Sequence, residues 1–303
     1  MKNLLLTFLL LIPLSLFSQK QDMLLGKIKK SDLMQEPYNS WFNKEYSNYE
    51  SEKHILEQLK KVDTKDCSVT IFLGTWCGDT KREVPRFLKI MDEIGFPEDR
   101  IELIAVNTGD GVHKQSPTGE ERGKYIFKVP TFIISRNNFE INRIVEYSVE
   151  SLERDLLSIL NNGIESSKSK SKSPISSESV YSPNSRSYPT IIDWLEKGIL
   201  TEKNISIRGL AEQIRFKANS ASEINAAAYV LYCQNKIKEA STLCKIGYRL
   251  YPDTVNLYFC AQVLSENGEK DEAMDMLKRY LIKCKDTKEV DRALELYNKI
   301  KEL

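Results

Sequence analysis

The chain has 303 residues, with 44 Lys plus Arg against 43 Asp plus Glu and a formal net charge of +1. That length predicts about two domains, and the balanced charge leaves no basic field to attract nucleic acid. Six cysteines are too few for a disulfide-built scaffold of this size. No C-x-x-C pair or cluster with the two histidines, His54 and His113, has zinc-ligand spacing, so neither metal nor cofactor is expected.

In chain order, the first predicted element is a leader. Met1-Lys2-Asn3 is a short basic region, Leu4–Phe17 is apolar apart from Thr7, Pro13 and Ser15, and Ser18 precedes the polar Gln19-Lys20-Gln21-Asp22. Residues 1–19 read as a signal peptide and 20–49 as an N-terminal extension. The fourteen-residue apolar run is short of the roughly 20 residues that span a bilayer, and no other segment qualifies. The mature chain is therefore expected to be exported to the periplasm or the extracellular side of a bacterial envelope, without a membrane span after cleavage. Disulfides persist in such a compartment.

The next predicted elements are a strand and a helix joined at a cysteine. Val69-Thr70-Ile71-Phe72-Leu73 has the β-branched and aromatic composition of a buried strand. From Lys81 to Ile94, the residues Val84, Phe87, Leu88, Met91 and Ile94 recur at helical spacing. Between them lies Gly74-Thr75-Trp76-Cys77-Gly78-Asp79-Thr80. A thiol at that junction faces the unpaired N–H groups and positive dipole end of the helix, which favour thiolate and make Cys77 a candidate nucleophile. Asp79 and Thr80, at the helix start, are equally candidates for its cap.

Downstream come Tyr125-Ile126-Phe127-Lys128-Val129-Pro130-Thr131-Phe132-Ile133-Ile134, a turn at Arg136–Phe139, a strand at Ile141–Val145 and an amphipathic helix over about Ser151–Leu160. Together these residues resemble the thioredoxin superfamily. Trp76-Cys77-Gly78 matches the family's W-C-G, Pro85 falls where its active-site helix has a proline, and the Tyr125–Thr131 stretch resembles its Y-x-I-x-x-x-P-T strand. The resemblance covers roughly residues 50–162 and implies an α/β thioredoxin fold, a central mixed sheet flanked by helices, over residues 50–163. It also implies a cis Val129–Pro130 bond beside the thiol, with Trp76, Gly78, Asp79, Val129 and Pro130 forming the substrate-binding surface around Cys77 and Thr80.

Two departures bear on chemistry. The second cysteine of the family's C-x-x-C is Thr80 here, and its buried carboxylate is Ile71. Cys77 can form a mixed disulfide, but Thr80 cannot release it, so completion of a cycle is expected to need an external thiol, with the Thr80 hydroxyl donating to the Cys77 thiolate. Cys67 lies at the far end of the predicted strand, on the order of 20–30 Å away, whereas bridged cysteines need Cα atoms within roughly 7 Å. The loop Thr108–Gly123 carries His113, and no spacing places that histidine near Cys77.

Residues 164–190 read as a flexible linker, because Ser-Ser-Lys-Ser-Lys-Ser-Lys-Ser-Pro and the serines and prolines after it have no apolar period. Residues 191–303 are predicted to be all-helical. Gln234-Asn235-Lys236-Ile237-Lys238-Glu239-Ala240 recurs 33 residues later as Asn267-Gly268-Glu269-Lys270-Asp271-Glu272-Ala273. With Ala227-Ala228, Cys260-Ala261 and Pro252, the segment from about Ser222 resembles two tetratricopeptide-like units and a closing helix over Val290–Lys301. Stacked helix pairs of that kind offer a face to a protein partner. Cys244 and Cys260 occupy apolar helix positions and read as small buried hydrophobes.

Two functions fit these features. One is a monothiol thioredoxin-like protein in which Cys77 exchanges with protein or peptide thiols and disulfides. The other is a non-catalytic scaffold that binds proteins or peptides. No motif supports a peroxidase or a glutathione-dependent transferase.

Overall fold

The computed structural model of the protein describes residues 23–168, 182 and 185–302. The expected signal peptide, 1–19, and the central part of the expected linker, 169–181, lie outside the described residues. Among the described residues no helix is long and apolar enough to cross a membrane.

An α/β unit and a helical region make up the described chain. Five strands form one mixed sheet: β1 Gly26–Ile28, β2 Cys67–Leu73, β3 Ile101–Ala105, β4 Thr131–Arg136 and β5 Phe139–Val145. Their order is β1-β3-β2-β4-β5. β2 and β3 are parallel, whereas β1 on β3, β4 on β2 and β5 on β4 are antiparallel. The strand expected over 69–73 thus begins two residues earlier, at Cys67, and sits at the centre of the sheet. Segment 20–49, read from sequence as an extension, supplies the edge strand β1 together with the helices α1 Lys30–Leu33 and α2 Asn39–Asn48.

Alternation along the central strands divides their side chains between two cores. Val69, Ile71 and Leu73 of β2, with Phe132 and Ile134 of β4, meet apolar side chains of α3 Lys53–Leu59, α4 Gly78–Glu93 and α5 Leu152–Lys168. Ile71 is fully buried in this core, which explains why an apolar residue suits a position where the resembled family has a carboxylate. Phe72, Ile104 and Ile133 point the other way, and Val106, Ile126 and Val129 from the long β3–β4 connection close over them. α5 continues to Lys168, past the start of the expected linker.

The helical region begins with α6 Tyr188–Glu196 and α7 Ile207–Ile214. Two antiparallel-type helix pairs follow, α8 Ala221–Cys233 with α9 Ile237–Leu250 and α10 Leu257–Glu266 with α11 Lys270–Lys283, and α12 Thr287–Glu302 closes the stack. Short polar turns separate the helices of each pair, as the repeated motif predicts. Ala227, Ala228, Cys260 and Ala261 are buried in the core that the helices share. The region is not isolated from the sheet: Phe127 and Val145 share a core with Tyr188, Ile191 and Ile192, and the Phe127 and Tyr188 rings stand 5.1 Å apart.

Candidate functional site

Cys77 occupies the N-cap of α4, in extended backbone at φ −86° and ψ 130°. Its amide donates to Gly74 O at 2.8 Å and its carbonyl accepts from Lys81 N–H at 3.1 Å, which pins the turn between β2 and α4. The half-buried thiol donates to Val129 O at 3.2 Å. Val129 precedes Pro130 across a cis peptide bond. The site therefore unites Cys77 with Val129 and Pro130, 52 and more residues further along the chain.

Thr80 plays a different part from the expected one. Its side chain is 0% exposed, and Oγ1 accepts from Gly74 N–H at 3.2 Å rather than partnering the Cys77 thiol. The expected helix cap is also differently made. The Cys77 side chain makes no capping hydrogen bond to the helix amides, and Asp79 accepts from Arg82 Nη2 at 2.7 Å along the first turn. Gly78 is exposed at the mouth of the site. Cys67 lies at the opposite end of β2, paired with Arg136 and buried, and burial pushes its thiol upward.

Trp76 is held by its Nε1, which donates to Val106 O at 3.0 Å. Its ring packs against Gly74, where an added Cβ would come within 2.5 Å of the indole. On the outer side, the Trp76 ring lies 5.8 Å from that of His113. The Thr108–Gly123 loop thus brings its histidine to the site, which spacing alone did not reveal.

A charged cluster absent from the sequence reading surrounds these residues. Lys114 is only 8% exposed, and its Nζ stands 2.6 Å from His113 Nε2. Burial, reinforced by the Lys114 charge, holds His113 down at about 4, so the neutral ring accepts from the ammonium. Burial together with the nearby Lys128 lowers Lys114 to about 8, while Cys77, Glu146 and Cys233 act in the opposite sense. Lys128 Nζ pairs with Glu146 at 2.7 Å, and Glu146 N–H donates to Pro130 O at 2.7 Å. Burial raises the Glu146 carboxyl, with the Lys128 bond opposing it. Lys114 and Glu146 both sit in left-handed backbone, at φ 57° and 62°, a conformation that non-glycine residues adopt mainly where surrounding contacts enforce it.

Comparison with protein-family models, curated proteins and solved structures finds no match for this chain. The chemistry must be read from the site itself: a half-buried thiol at a helix N-terminus, an aromatic wall, and a buried ammonium within electrostatic reach of the sulfur. Among the described residues no cluster of three or more His, Cys, Asp or Glu is arranged to hold a metal ion.

Helical residues reach the same site. Tyr229 of α8 places its ring 5.1 Å from His113 and donates from its hydroxyl to Asp110 at 3.1 Å. One turn further, the Cys233 carbonyl accepts from Gln115 Nε2 at 2.7 Å. These contacts join residues more than a hundred positions apart, so no local sequence signal announces them.

Proposed function

We propose that this is an exported thioredoxin-like protein whose Cys77 exchanges with disulfides of protein or peptide partners. The sheet order, the β2–turn–α4 unit and the proline strand beside it support a thioredoxin-like fold for the α/β unit. The helix pairs α8/α9 and α10/α11 support the tetratricopeptide-like reading of the helical region. The observation that carries the functional proposal is the thiol of Cys77 at the N-cap of α4, directed at Val129 O beside Pro130.

A thiol so placed attacks a partner disulfide in line, forming a mixed disulfide and expelling the other partner sulfur as thiolate. Helix N–H groups and the Lys114 ammonium supply positive potential to the reacting sulfurs. Trp76 and the 129–130 edge flank the reacting sulfur and orient the partner chain. The active-site turn holds no second cysteine, so release depends on a thiol from elsewhere.

A second reading, a peptide-binding scaffold without exchange chemistry, draws support from a cleft among the helices lined by Ile207, Arg215, Tyr248, Arg249, Pro252 and Met276. Mapping of mixed disulfides by mass spectrometry separates the two. Exchange requires covalent capture at Cys77, and a scaffold leaves Cys77 unmodified while still binding peptide.

A further inference from the structure

Resting on the exchange reading above, we infer that Cys233 of α8 is the resolving thiol for Cys77, so that the helical region completes the dithiol that the turn lacks. The placement follows from a continuous set of contacts. Tyr229 and Cys233 are four residues apart and therefore share a face of α8. Tyr229 packs on His113, and His113 packs on Trp76, the neighbour of Cys77. The adjacent Gln115 binds the Cys233 backbone, and Lys114 between His113 and Gln115 carries an ammonium that both sulfurs reach electrostatically.

The other cysteines are placed elsewhere. Cys67 lies at the distant end of β2. Cys244 and Cys260 are fully buried on α9 and α10, their free thiols hydrogen-bonded to one another. Cys284 follows α11, its thiol directed to Asp286 O at 3.6 Å. Cys233 is a half-buried free thiol on α8, the helix whose Tyr229 and Cys233 carbonyl contact the Asp110–Gln115 loop beside Trp76. All six cysteines are free.

The step balances. Cys77 thiolate attacks one sulfur of a partner disulfide, forming Cys77–S–S–R and releasing the first partner thiolate. Cys233 thiolate then attacks Cys77 Sγ, the Cys77–S–R bond breaks, and the second partner thiolate leaves. The partner disulfide is reduced by two electrons, the two protein thiols become a disulfide, and the two protons they lose appear on the partner thiols. An external thiol reductant returns the protein to its starting state. Lys114 contributes positive potential to each sulfur as it carries negative charge, and the Gln115 contact holds the end of α8 in place. Closure needs Cα atoms within roughly 7 Å, so formation of the bond reports directly on how closely α8 approaches.

The test uses the full-length mature protein, reduced and desalted, treated with one equivalent of a small aromatic disulfide (DTNB). Aromatic thiolate is counted by absorbance, and the product is mapped by non-reducing peptide mass spectrometry. The inference expects about two thiolates per protein and a Cys77–Cys233 cross-linked peptide. Cys233→Ser is expected to release about one and to retain the aromatic thiol on Cys77. Wild-type protein that keeps the adduct on Cys77 with Cys233 free overturns the resolving role and leaves the exchange proposal standing. Absence of any adduct or bridge at Cys77 overturns the exchange proposal, and this inference with it. Because the decisive map is made on the wild type, misfolding of the variant does not obscure the answer.

Discussion

The Cys77 thiol and the Val129 carbonyl meet at 3.2 Å, joining the N-terminus of α4 to the segment that leads into β4. That contact is the hub of the site. Behind it Thr80 and Gly74 fix the turn, in front of it Trp76 and His113 form a wall, and Lys114 brings charge.

Thr80 acts as an internal acceptor. Thr80→Val keeps the shape of the side chain but leaves the buried Gly74 N–H unpaired, which costs about 1–3 kcal/mol. Urea denaturation should show this as a lower midpoint with unchanged slope. A midpoint equal to wild type would mean that the Gly74–Thr80 bond does not support the turn.

Gly74→Ala tests the wall. The new Cβ would fall 2.5 Å from Trp76 Cε2, so the indole must leave its place and its bond to Val106 O. A loss of about 1–3 kcal/mol is expected from overpacking, along with changed fluorescence from Trp76 in a background with Trp41→Phe and Trp194→Phe. Unaltered emission would contradict the packing described for that ring.

His113 sets a pH dependence with a definite sign. Its folded value of about 4 lies below the ordinary 6.5, so the folded state holds the ring neutral where the unfolded chain binds a proton. Its contribution is fully present above pH 6.5 and is lost as pH falls toward 4, with a limiting slope of about 1.4 kcal/mol per pH unit for one proton. His113→Asn should flatten the stability profile in that window relative to wild type, as followed by denaturation at several pH values. Parallel profiles would show that the ring is not held neutral.

Glu223 anchors the entry to the helical region. The fully buried carboxylate accepts from Ser187 N–H at 3.0 Å, Ser187 Oγ at 2.6 Å and Asn219 N–H at 2.8 Å. Glu223→Ala strands these donors and should cost about 1–3 kcal/mol or more. Loss of helical circular dichroism at a lower temperature is the expected signal.

Much of this architecture is legible in the sequence. The apolar run ending at Leu73 and the 3.6-residue spacing from Val84 to Met91 place Cys77 at a strand–helix junction, because both patterns are local. The recurrence of Ala240 as Ala273 locates the helix pairs for the same reason. His113, Lys114, Glu146 and Cys233 were not legible as site residues. The first two ride on a long connection whose path is set by residues in left-handed backbone, including Lys114 and Tyr125. Cys233 arrives through tertiary docking of α8. The edge strand β1 is not legible, because Gly26-Lys27-Ile28 is too short to show a period of two.

The most direct test of the central claim, that Cys77 is the exchanging thiol, is residue-resolved capture. The reduced mature protein is mixed with a substoichiometric disulfide-bonded peptide, quenched in acid at successive times and mapped by mass spectrometry. The account predicts that the earliest adduct is on Cys77, with Cys67, Cys244 and Cys260 unmodified and Cys233 appearing only in a bridge to Cys77. Early capture at Cys284 or Cys233 while Cys77 remains a free thiol would contradict it.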